Sequence, residues 1–226
     1  MSEIVSNFHD CDLDIKKNEI FLFPTEVRAH GEMLDTDEPG IEWTISNRFI
    51  RNLKLLEQLN PNRDVLIHMK TCGGFWEEGM AIYDAIKAHP TYVTIINYTH
   101  ARSMSSIIFM AGNLRFMTPH SYFMFHMGTI FFYGTVKSAF SYIDFEKIVC
   151  QKQMLDIYCA ALKEQGKYSR KSLAKIREIL QFQMDRKEEV YLTAEEAVEW
   201  GFADGIYTGR NECDLFAYER KHKARG

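Results

Sequence analysis

The feature that most constrains the fold of this chain is a strand that runs into small residues and then directly into a helix, met at two successive places. Val65 to Met69 is a short apolar run interrupted by His68, Gly73-Gly74 follow, and Trp76 to Ala88 puts Met80, Tyr83 and Ile86 on one helical face. Val93 to Tyr98 is a second β-rich run; it stops at polar and small residues, and Met104 to Met110 reads as the first turns of another helix. Strands alternating with helices form parallel βαβ units, whose crossovers are right-handed and whose functional loops gather at the carboxyl ends of the strands. Gly73-Gly74 and Ser103 both occupy such ends. The alternation therefore predicts that the glycine turn and the serine lie side by side.

The flanking segments extend this pattern into one α/β domain over residues 19–208, with an N-terminal arm at 1–18 and a tail at 209–226. Glu19 to Phe23 is a short strand before Pro24, and the acidic stretch His30 to Gly40 is a loop. Ile45, Phe49, Leu53 and Leu56 recur at helical spacing, with Thr44 or Ser46 as the expected cap and Asn60-Pro61 as the stop. Arg115 to Met117 and Tyr122 to Phe125 are strands, the second delivering His126. From Gly134 to about Glu164 nothing interrupts a helix on the order of 45 Å long, more than the core of such a domain requires. That helix either lies across its own sheet or reaches another subunit. A further helix is expected over 169–184 and a strand at Val190 to Leu192; Thr193 with Glu196 forms a capping box, and Gly201 ends the last helix.

Composition excludes several classes. With 46% apolar and 26% charged residues, and no apolar run of ~18, the chain is expected to be a soluble protein of the cytoplasm without a membrane span. Cys11, Cys72, Cys150, Cys159 and Cys213 are odd in number and form no C-x-x-C pair, which points to free thiols rather than disulfides or a zinc site. A formal charge of −4 offers nothing to nucleic acid, and the basic cluster near Arg220 reads as a solvated terminus.

A serine hydroxyl attacks a carbonyl only with a base in reach, a group that orients that base, and donors for the oxyanion. Ser103 at a strand-to-helix turn supplies the hydroxyl, His126 the base, and the N–H groups of Gly74 and Met104 the donors. Each also has a plainer reading: serine commonly caps helices, and a lone histidine is often structural.

The motifs taken together resemble a known family. Gly73-Gly74 through Ile86, Ala101-Arg102-Ser103-Met104, Ala111-Gly112, Met124-Phe125-His126, Thr193 to Ala197 and Gly201 to Asp204 are similar, in register from about Asn18 to Thr208, to the ClpP family. This is the proteolytic subunit of the Clp protease, with relatives among phage head-maturation proteases. The resemblance implies a crotonase-like α/β fold of βαβ units with a protruding handle helix. It also implies Ser103 as nucleophile, His126 as base, and Gly74 and Met104 as the oxyanion hole. Its aspartate position falls on Glu189, with Asp185 as the fallback and Glu188 behind it. The chain departs from the family at Cys72, where proline is usual, and at Arg102, where a small residue is usual. Arg102 either tunes the base, selects an acidic substrate group, or points to solvent.

The function so implied is a serine endopeptidase that cuts peptides or unfolded proteins through an acyl-enzyme, with no metal or cofactor. It would work as a homo-oligomer of stacked heptameric rings, and the partner that the resemblance implies is a Clp-type ATPase. The alternative is a catalytically silent ring subunit. Acyl-CoA chemistry on the same fold comes last, since it leaves the serine and histidine without a task.

Overall fold

In the structure, a computed structural model that describes residues 11–24, 39–130 and 132–209, the expected alternation becomes an eight-stranded sheet covered by helices. β1 (Leu13–Asp14) pairs antiparallel with β2 (Glu19–Leu22), and β3 (Val65–Thr71) and β4 (Val93–Arg102) follow in parallel. α1 (Trp43–Leu59) precedes β3, and α2 (Trp76–Lys87) crosses from β3 to β4. α3 (Met104–Phe109) leads from β4 to β5 (Leu114–Met117), on whose far side lies β8 (Gly205–Ile206). Residues 11–18 of the expected arm thus fold against the sheet edge, where buried Asn18 donates to the carbonyls of Arg63 and Asp64. Residues 1–10, the loop expected at 30–40 apart from Pro39 and Gly40, and the tail beyond residue 209 lie outside the described residues.

The sheet forks at β4. Thr94 to Asn97 pair with β5, whereas His100 to Arg102 pair with β6 (Tyr122–His126). The polar and small residues after Tyr98 were expected to end the strand; it runs on to Arg102 because β6 takes up their backbone groups, and pairing outweighs propensity. β7 (Glu189–Thr193) then pairs antiparallel with β6. Under this second branch sits an aromatic core. Phe123 and Phe125, alternate residues of β6, meet Tyr158, Trp200 and Phe202, with Phe123 stacked on Phe202 at 4.4 Å. Their burial leaves Met124 and His126 on the opposite face of the strand.

α1 is capped by Glu42, not by Thr44 or Ser46: its carboxylate accepts from the N–H groups of Thr44 (3.1 Å) and Ile45 (3.2 Å). The start is set by tertiary structure, since Ile41 bridges to Gly74 and fixes where the chain turns. The long helix is present as α4 (Val136–Phe145), a π-helical turn at Glu146–Cys150, and α5 (Gln151–Glu164). Its second half is packed, with Met154, Leu155, Tyr158 and Leu162 buried, while α4 buries none of its residues. α6 (Leu173–Lys187) follows, and α7 (Ala194–Trp200) carries the expected capping box of Thr193 and Glu196 and ends at Gly201 with φ 105°. Among the described residues no helix is long and apolar enough to cross a membrane.

Candidate active site

The site grows out of the turn after β3. Gly73 (φ 105°) and Gly74 (φ 148°) adopt backbone conformations that side chains oppose. Space is equally restrictive: a Cβ on Gly73 would stand 2.8 Å from the Ser103 Cβ, so the glycine turn and the serine do lie side by side. Gly73 O accepts from Ile41 N–H at 2.5 Å and Phe75 N–H donates to Ile41 O at 2.9 Å. Backbone alternation then turns the Gly74 N–H away from Ile41, and Gly74 lines the cleft that holds Ser103.

Ser103 has φ 53° and ψ −129°, a strained conformation for a residue with a side chain. It occupies the N-cap position of α3 but makes no side-chain capping bond, so its hydroxyl is available for other work. Three hydrogen bonds hold the turn. Ser103 N–H donates to Met124 O (3.1 Å), while Ser103 O accepts from Ser106 N–H (3.0 Å) and from the Ser106 hydroxyl (2.5 Å). The Ser106 hydroxyl in turn accepts from the buried Tyr158 phenol at 2.5 Å, so the aromatic core braces the serine turn.

The bond from Ser103 to Met124 also explains how the histidine arrives. His126 lies two residues beyond Met124 on the same face of β6, and its Nε2 stands 2.8 Å from Ser103 Oγ. Burial pushes the His126 imidazole below its ordinary range, with the carboxylates of Glu189 and then Glu188 pulling the other way. Met104, the first residue of α3, has no acceptor for its N–H within the helix, and it lines the same cleft as Gly74. The cleft has a volume of about 320 Å³.

Glu189 opens β7 directly across the antiparallel pair from His126. Residues so placed share a face, which brings the carboxylate's charge to the imidazole. Among the described residues, however, Glu189 takes its hydrogen bond from the Tyr191 hydroxyl (2.7 Å) and none from His126 Nδ1. Asp185 is exposed on α6 and is not among the charges acting on His126. Arg102 donates through Nε to Cys72 O (3.3 Å), and its charge acts on Tyr191 rather than on the base. Cys72 Sγ lies 3.7 Å from Pro39 O, where a proline would have fixed the turn by its ring. The sequence reading missed Ser106, Tyr158 and Tyr191. The serine and Tyr158 fall on helices whose spacing shows only that they face inward, and Tyr191 sits two residues from Glu189, the strand interval that would have paired them.

Residues 36–210 match the family model described as Clp protease, and with most of the chain covered, the chain belongs to the Clp protease family. That makes it a member of a family of peptidases. Among curated relatives, it is 29% identical over 168 residues to the ATP-dependent Clp protease proteolytic subunit 1 of Chlamydia abortus, covering 72% of this chain and 80% of that protein. Proteolytic subunit 1 of Chlamydia trachomatis is 27% identical over 168 residues, with the same coverage. Proteolytic subunit 2 of Thermobifida fusca is 28% identical over 166 residues, covering 73% of this chain and 75% of that protein.

Proposed function

We propose that the protein is a serine endopeptidase, a ClpP-like proteolytic subunit that hydrolyses peptide bonds through an acyl-enzyme. The observation that carries this reading is the 2.8 Å contact between Ser103 Oγ and His126 Nε2 at a strained turn beside two available backbone donors. Ser103 Oγ attacks the scissile carbonyl carbon and its proton passes to His126 Nε2. The oxyanion is held by the N–H groups of Gly74 and Met104. His126 returns the proton to the departing amine, leaving an ester on Ser103, and then takes a proton from the water that hydrolyses it. Glu189 steadies the imidazolium by charge across the strand pair.

The peptidase unit covers residues 19–208 together with residues 11–18, whose β1 joins the sheet edge, and 209–226 form the tail. The relatives' names describe ATP-dependent proteolytic subunits, and the exposed apolar side chains of α4 suit a subunit contact. The working form is therefore a homo-oligomeric ring assembly, with unfolded protein as substrate and a Clp-type ATPase as partner. The thiols of Cys11, Cys150 and Cys159 fit a reducing cytoplasm.

A second reading, a catalytically silent ring subunit, is favoured by the Glu189 carboxylate being engaged by Tyr191. A fluorophosphonate probe separates the two. The active subunit is labelled at Ser103, and Ser103→Ala abolishes both labelling and peptide cleavage while the assembly survives; absence of labelling in the unmodified protein leaves the silent subunit.

A further inference from the structure

Beside the serine and histidine, the cleft has an apolar side formed by the edge of the core and two carboxylates that the serine chemistry does not require. Its floor is apolar, formed by Ile107, Met154 and the ring of Tyr158, while its charged walls are Glu77 and Glu146, with no lysine or arginine among the described residues that line it. Glu77 has a structural explanation, since it lies in the first turn of α2, where a carboxylate complements the helix dipole. Glu146 has none. It stands in the interior of the long helix at the head of the π turn, a rare geometry that tends to mark functional positions, and it turns toward the cleft with Tyr142 and Cys150.

The two carboxylates act on the same neighbours. A hydrogen bond to Glu146, then burial, then the charges of Glu146 and Glu77 push the Tyr142 phenol up to about 12. Burial, followed by Glu146 and then Glu77, pushes the Cys150 thiol up to about 12. Two like charges therefore share one partly enclosed space that no lysine or arginine among the described residues lines, an arrangement that a positive group entering the cleft relieves.

We infer that the cleft selects peptides with lysine or arginine at the residue that contributes the scissile carbonyl, its aliphatic stem over Ile107, Met154 and Tyr158 and its cation between Glu146 and Glu77. Such side chains match that division between an apolar shaft and a charged end. The inference rests on Ser103 acting as the nucleophile.

The test uses quenched fluorogenic peptides identical except for arginine, lysine, citrulline or leucine at that one residue, given to the assembled full-length protein. Arginine and citrulline have nearly the same shape, so their ratio reads charge alone. The expected result is a kcat/KM for arginine about tenfold or more above citrulline, the ratio falling toward one in Glu146→Gln and partway in Glu77→Gln. Equal cleavage of arginine and citrulline by the unmodified protein overturns the inference and needs no variant, as does a ratio unmoved by either substitution. If no peptide is cut and Ser103 takes no fluorophosphonate, the peptidase reading fails and this inference with it. Cleavage that ignores charge sinks the inference alone.

Discussion

Ser103 concentrates the demands of the site on one backbone position. Its φ of 53° is tolerated because Met124, Ser106 and Tyr158 hold it from both sides, and because Gly73 leaves room beneath it. Gly73→Ala is therefore expected to lower stability by about 1–3 kcal/mol and to remove most peptide cleavage, since both φ and the missing space oppose a methyl group. Thermal denaturation and fluorophosphonate labelling of that variant check the two effects separately. His126 gives a second prediction. General-base chemistry needs the neutral imidazole, and burial lowers its pKa from the ordinary 6.5, so the acidic limb of kcat/KM is expected below pH 6.5. Glu189 holds that pKa up, so Glu189→Gln should move the limb further toward acid and lower kcat by on the order of 10²-fold. Asp185→Asn should leave the limb in place. A pH–rate profile in which Asp185→Asn and not Glu189→Gln shifts the limb would reassign the carboxylate.

Helices and strands differ in how openly their limits are written. The start of α7 is legible because Thr193 and Glu196 satisfy each other's backbone donors over one turn, an interaction contained in four consecutive residues. Thr193→Ala is expected to cost about 1 kcal/mol and to lower Tm by about 2–4 °C, measured by calorimetry. The start of α1 was not legible, because Glu42 becomes a cap only where the Ile41 bridge to Gly74 bends the chain. The end of β4 is hidden for a related reason: its last residues are strand only because β6 lies beside them. The long helix was readable in extent from its unbroken run, yet its π turn was not, since nothing in the local spacing of Glu146 to Cys150 requires an extra residue in the turn.

Assembly of these elements depends on a few buried polar ties and leaves one apolar face open. Arg115, only 4% exposed, donates through Nε and its backbone N–H to Asp204 (3.1 and 2.8 Å), while Gln165 donates to the other oxygen at 2.7 Å. These bonds join β5, β8 and the end of α5. Asp204→Ala strands the guanidinium and is expected to cost about 3–5 kcal/mol in chemical denaturation. On α4 and the π turn, Phe140 and Ile148 are each 65% exposed. If the proposed ring forms through this face, replacing both by Asp is expected to give smaller species in light scattering while leaving the fold intact by circular dichroism; an unchanged particle mass would remove this face from the proposed contact. The alternation of strands and helices, and the glycine and serine at strand ends, were readable from residue order, because periodicity and glycine tolerance act over short stretches of chain; Ser103, His126, Gly74 and Met104 were marked as candidates by the family resemblance. The 2.8 Å between Ser103 and His126, residues 23 apart, was not, and neither was the partner of Glu189 or the charge of the cleft. Those follow from which half of β4 pairs with β6, and in what register, a choice made by burying Phe123 and Phe125 against helices far along the chain.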